Sequence, residues 1–389
     1  MSWRALLKFE LTAIFTNQSI LFTVFGGVLI YSFLYPLPYS QQLPREQHVA
    51  VVNLDNSQTS RELERMVDAT PQVQLAARAL SIEEATMMLN TGKVEGLLVI
   101  PEHFSRDLLL GKSPTLAYAG DAAYFLVYGS VVEGLATAGG TLGAKAKVSR
   151  MVMSGENIAL AAEQHSAMSL TMQPVFNPTM GYINYVVPAV FVLILHQTLL
   201  IAVALLGGGQ NEHARQGRNG YWLQYPPLRV TLVRACLFML IYLPLVMYYF
   251  GFTFSFYQIS RLAAISDLLA VTVPFLLAVI FMGVAIGQLL PRRELATVVV
   301  LLSSIPLIFS TGFIWPTSAI PAPINMLVQF VPATPAIHAF LRLNQMGADF
   351  HQVVLQWGQL WLQVLVYGAI AVTLMLKNNR RQKPSAVIN

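Results

Sequence analysis

No Lys, Arg, Asp or Glu interrupts the chain between Glu10 and Arg45, and the apolar part of that stretch, Ile20 to Leu37, is long enough to cross a bilayer. Spanning the ~30 Å hydrocarbon core takes about 20 apolar residues, more than a soluble core helix ordinarily needs. Further windows of this kind are Met180 to Leu206, Ala235 to Phe256, Leu268 to Leu290, Leu295 to Ile314 and Val354 to Leu376. Charged residues make up only 11% of the chain, against roughly 25% in soluble domains, so the expected fold is a mainly α membrane protein with six transmembrane helices. Pro36, Pro38 and Tyr39 stand where a small-residue cleavage site would have to follow the first window, which therefore reads as an uncleaved anchor.

Short loops rich in Lys and Arg stay on the cytoplasmic side. Arg4 and Lys8 precede the first window, and Arg215, Arg218, Arg229 and Arg234 follow the second. Arg292 and Arg293 separate the fourth from the fifth, and Lys377, Arg380, Arg381 and Lys383 follow the sixth. The alternation places both termini in the cytoplasm. Residues 45 to 163 hold 10 basic and 14 acidic side chains, so the net +5 comes from membrane-flanking charge and gives no argument for nucleic acid. The single cysteine, Cys236, excludes an intrachain disulfide and is expected to pack within the third span.

Three regions follow. Residues 1–39 are read as an interfacial helix and the first span, because Trp3, Leu6, Leu7 and Phe9 alternate with Arg4, Lys8 and Glu10. Residues 40–175 are read as a small extracytoplasmic α/β domain. His48 to Leu54, Gly96 to Ile100 and Thr115 to Ala119 are strand-like runs, and helices are expected over Arg61–Ala69 behind a Thr59/Glu62 capping box, Ile82–Asn90 behind Ser81/Glu84, and Phe104–Leu110. Asp55 and Asp121 read as turn caps, and a long helix over Ala122–Met172, broken at Gly139-Gly140, returns the chain to the membrane. Residues 176–389 carry the remaining spans, a cytoplasmic coupling loop over 207–230, and a re-entrant segment over 315–347 whose prolines forbid one continuous helix.

The candidate functional residues fall in three groups. Asn211, Glu212, His213, Arg215, Gln216, Gly217 and Arg218 form the coupling loop, where Glu212 and Arg215 stand at helical pairing distance and Gly217 ends a short helix. Gly312, Trp315, Pro316, Pro321, Pro332 and Pro335 mark the re-entrant or exit segment. His196, Ser303, Ser304, Ser310, Thr311 and the pair Gly283/Gly287 either line a pathway or serve helix packing, and His196 is expected to be neutral and hydrogen-bonded to a neighbouring helix. No span has an acidic or basic residue near its centre, which weakens an ion-coupled carrier. The nearest approach to a phosphate-binding loop, Gly111-Lys112-Ser113, has Arg106 where the first glycine belongs, so the chain is expected to hydrolyse no ATP by itself and to be no enzyme. It offers no catalytic, cofactor or metal site.

Several local strings resemble the permease subunits of type 2 ABC exporters, in the branch with a large extracytoplasmic domain between spans one and two. They are Val49 to Ser57, Gly92 to Pro101, Phe104 to Leu108, Gly312 to Pro316 with Ile320-Pro321, and Pro332 to Pro335. The family's cytoplasmic loop typically reads Arg-Glu-(Arg or Lys)-Glu-x-Gly-Thr, whereas Asn211 to Arg218 keeps one glutamate and the glycine. The resemblance implies a bacterial inner-membrane exporter in which a second permease copy or homologue pairs with this chain. Cytoplasmic ABC ATPase subunits would carry ATP and Mg, and a periplasmic adaptor and membrane lipid are further partners. The rival classes are an ion-coupled carrier or channel and a non-transporting membrane assembly factor.

Overall fold

A computed structural model describes residues 2–39, 44–164, 175–177, 181–218 and 220–382. The chain divides into two compact units, one comprising Met1–Ser40 with Pro174–Asn389 and the other Gln41–Gln173.

The first unit is helical. It begins with α1 (Trp3–Phe15), capped by the Ser2 hydroxyl, and α2 (Gln18–Tyr39). After the second unit it continues with α8 (Tyr182–Arg215), α9 (Pro227–Phe256), α10 (Ile265–Leu289), α11 (Glu294–Ser310), the short pair α12 (Ala322–Val328) and α13 (Ala333–Gln345), and α14 (Phe350–Arg381). Helix α8 is the axis: nearly all of its apolar side chains are buried, which is why its sequence shows no polar face. Gly283 and Gly287 of α10 lie against it. A Cβ at Gly287 would stand 2.9 Å from the Ala204 carbonyl, and one at Gly207 would stand 2.8 Å from the Gly287 backbone. The G-x-x-x-G pair thus packs within the chain, the close backbone approach that small residues permit. Cys236 differs from expectation: it sits on the exposed face of α9.

Among the described residues six helices are long and apolar enough to cross a membrane. They are not the six windows read from the sequence. Helix α11 has only 17 residues, because Gly312 adopts a φ of +89° just after its end. The added member is α6 (Phe125–Met153) of the second unit, which buries Val131, Leu135, Ala138 and Leu142 in that unit's own core. It runs unbroken through Gly139-Gly140 and stops at Ser154, where Gly155 takes a φ of +97°; α7 (Ile158–Gln164) follows. Residues 165–172 of the expected long helix lie outside the described residues.

The second unit is a four-stranded sheet in the order β2-β1-β3-β4, with β1 (Gln47–Asn53) parallel to both β2 (Val73–Arg78) and β3 (Gly96–Ile100) and β4 (Ala117–Gly120) antiparallel to β3. The central strand alternates between two cores. Val49 and Val51 face α6 and α3 (Gln58–Asp68), while Ala50 and Val52 face α4 (Ile82–Asn90). Burial on both sides explains its continuous apolar run. The cap of α3 is Ser57, whose hydroxyl accepts from the Ser60 amide at 3.0 Å, and not Thr59. Glu62 instead accepts from Lys145 at 2.5 Å, which holds its carboxyl below the usual range. Helix α5 (Phe104–Leu109) is tied to the β1 turn by Asp55, which accepts from the Ser105 amide at 3.2 Å.

Candidate functional site

Two concavities in the helical unit gather most of the residues singled out above. The larger, about 1200 Å³, is built from the junction of α1 and α2, the end of α8, the turn at Tyr221-Trp222, and the start of α11. Helix α8 reaches this cleft because it does not stop at its three glycines. Gly207 and Gly208 let the backbones of Gly287 and Arg293 come close, and the helix continues to Arg215, so the expected separate short helix is the last turn of a 34-residue one. Gly217, with φ +71°, ends it, and the Arg218 amide donates back to the His213 carbonyl at 3.0 Å in a Schellman arrangement.

Along that last turn the side chains divide by direction. Asn211 points inward and donates to the carbonyls of Gly287, Gln288 and Leu290 at 3.1, 3.0 and 2.9 Å, satisfying the orphan acceptors at the end of α10. Asn378 of α14 adds a bond to the Gln288 carbonyl at 2.8 Å. Glu212 faces Arg293 across 3.9 Å, not Arg215, and the His213 ring stacks on Trp222. Arg215, Gln216 and Arg218 are exposed.

Beside the cleft lies a buried charge pair. Helix α1 buries Leu6, Glu10 and Ile14 at four-residue spacing, and Arg234 donates to Glu10 through Nε at 3.0 Å and Nη2 at 2.9 Å. Both side chains are fully buried. The Tyr221 hydroxyl donates to the same carboxylate at 2.9 Å, and burial together with the Glu10 charge pushes that phenol above its ordinary range. One carboxylate therefore fastens α1, α9 and the Tyr221 turn together. Its signal in the sequence is a glutamate in register with Leu6 and Ile14, on the face that α1 buries and not among the exposed charges of an interfacial helix.

The second concavity, about 850 Å³, is almost wholly apolar and lies between α8, α10, α11 and the α12 segment. It brings together His196, Ser303, Ser310, Trp315 and Pro321. His196 is buried, and its ring nitrogens have no hydrogen-bond partner among the described residues, contrary to the expected bond to a neighbouring helix. The serine hydroxyls turn back on α11, Ser303 and Ser304 to the Val300 carbonyl at 2.8 and 2.9 Å, and Ser310 to the Pro306 carbonyl at 2.5 Å. Thr311 lies just past the end of that helix, and its carbonyl meets His338 Nε2 at 2.7 Å. Pro316 and Pro321 precede a short turn and α12, and Pro332 precedes α13, which contains Pro335. The two short helices meet at 91°, and the Thr334 hydroxyl spans the break to the Val328 carbonyl at 2.7 Å.

A helical bundle of membrane length, with an α/β unit inserted in sequence between α2 and α8, defines a multi-pass membrane protein. The profile of the family described as ABC-2 family transporter protein matches residues 18–373, and the chain belongs to that family. Membership makes it a membrane component of ABC transport and implies an ABC ATPase partner. No curated protein matches the chain.

Proposed function

We propose that this chain is the permease subunit of an ABC exporter in a bacterial inner membrane, coupled through the 1200 Å³ cleft to a cytoplasmic ATPase that carries ATP and Mg. The observation that carries the reading is the cleft itself. It joins the end of α8 to the starts of α2 and α11, so a subunit seated there touches three helices of the bundle at once. Arg215, Arg218 and Arg293 around it are the residues that positive-inside asymmetry keeps in the cytoplasm. With that end inside, both termini are cytoplasmic and Gln41–Gln173 is extracytoplasmic.

The apolar cavity beside His196 is where an amphiphilic substrate would enter. The bent α12/α13 pair forms the re-entrant exit segment. Helix α11 leaves Leu301, Leu302, Ile305 and Phe309 exposed, a face for lipid or for a second permease copy.

Crosslinking tests the coupling cleft. In a Cys236→Ser background, a cysteine at Gln216 should bridge to the ATPase through a short bismaleimide, whereas one at Leu302, on the exposed face of α11, should not. A Gln216→Cys chain that reacts with a monofunctional maleimide but never bridges, while Leu302→Cys does, would place the partner elsewhere.

A further inference from the structure

The second unit holds a cavity of its own, about 560 Å³, between α6 and the layer formed by β3, α5 and β4. Its walls include Leu98, Phe104, Leu116, Leu135 and Leu142. Helix α6 contributes glycines where large residues would fill the space: a Cβ at Gly139 would touch Leu116 at 3.3 Å, and one at Gly143 would meet nothing within 4 Å. A volume of this size is within the ~300–1,000 Å³ range of small-molecule sites.

Three cations stand at one end. Lys147 and Arg150 lie three residues apart on α6 and so share a face. The Arg150 guanidinium lies over Gly111, so close that a Cβ there would fall 1.9 Å from Nη1, and Lys112, the next residue, lines the same cavity. Lys112 reaches Asp107 at 3.7 Å. Arg150 forms no ion pair among the described residues, and its buried Nε has no hydrogen-bond partner among them. An apolar trough ending in a guanidinium and two ammonium groups complements a molecule with an apolar chain and an acidic head, because a planar fork of donors matches carboxylate and phosphate oxygens.

We propose that this cavity binds a single-chain amphiphile with a carboxylate or phosphate head, its chain lying along Gly139 to Gly143 and its head meeting Lys112, Lys147 and Arg150. The site belongs to the α/β unit alone and stands whether or not the transport reading holds.

The test uses the full chain in phosphatidylcholine nanodiscs, titrated with the fluorescent fatty acid cis-parinaric acid, with empty discs as background. A saturable component of about one probe per chain is expected. Dodecanoate or dodecyl phosphate should displace it, and whichever acts at the lower concentration identifies the head, whereas dodecylamine should need at least tenfold more. Gly143→Leu should abolish saturable binding, and Gly129→Leu, the same change on the same helix at another open position outside the cavity, should leave it intact. Arg150→Gln should weaken binding at least tenfold. A missing saturable component, unchanged binding in Gly143→Leu, or equal displacement by dodecylamine would overturn the proposal.

Discussion

Replacing Arg234 with leucine should cost roughly 3–5 kcal/mol, because the Glu10 carboxyl would be left fully buried with only the Tyr221 hydroxyl to meet it. The chain should then melt well below the wild type, and little of it should accumulate in the membrane. Glu10→Leu should behave alike, since it orphans the guanidinium. The double change Glu10→Leu with Arg234→Leu removes both charges and puts apolar side chains beside Leu6 and Ile14, so it should recover much of what either single change loses. Tyr221→Phe removes one hydrogen bond and should cost only about 0.5–1.5 kcal/mol. Thermal unfolding of the four variants in one detergent decides the matter: a loss in the double variant equal to the sum of the two single losses would show that the residues are not energetically coupled.

Reversing Arg215 and Arg218 to glutamate should lower ATP-driven transport at least tenfold while the chain reaches the membrane in normal amount. Both side chains are exposed, and neither forms an ion pair among the described residues, so their loss disturbs nothing inside the chain. Charges at the rim of an interface act on association and its salt dependence, and about 1.4 kcal/mol of lost docking energy is tenfold in affinity. Glu212→Gln is the contrasting case. It gives up a partly exposed contact with Arg293 at 3.9 Å, worth at most about 1 kcal/mol, and should leave transport near wild type. Export measured together with membrane abundance separates a docking defect from a folding defect, and normal export in the double arginine variant would remove these residues from the coupling surface.

The parts legible in the sequence were those carried by local composition. Charge-free windows located α2, α8, α9, α10 and α14, and the runs at His48 and Gly96 located the two central strands. Strand β2 was missed because Val73-Gln74-Leu75-Ala76-Ala77-Arg78 is short, partly polar and at the sheet edge, where one neighbour suffices. Helix α6 resembled a membrane-returning helix because Ala, Val and Gly dominate it, and only packing against the sheet shows what its apolar stripe covers.

The candidate site was legible as a segment and not as a surface. Asn211 and Gln216 read alike in the sequence, yet one caps α10 and the other faces outward, a difference set by the end of a helix some 76 residues away. The Glu10–Arg234 pair joins residues 224 apart, so neither residue carried a local sign of its partner. His196 and Ser303 were grouped by chemical type, and their shared cavity depends on how α11 and α12 fold back.

ATP turnover by the purified chain in lipid, measured alone and together with its ATPase subunit, tests the transport role most directly. The chain alone should show no turnover, because it lacks a phosphate-binding loop, and the complex should show vanadate-sensitive turnover that drives outward transport in proteoliposomes. Hydrolysis by the chain free of any second polypeptide, or transport that proceeds on an ion gradient without ATP, would contradict that role.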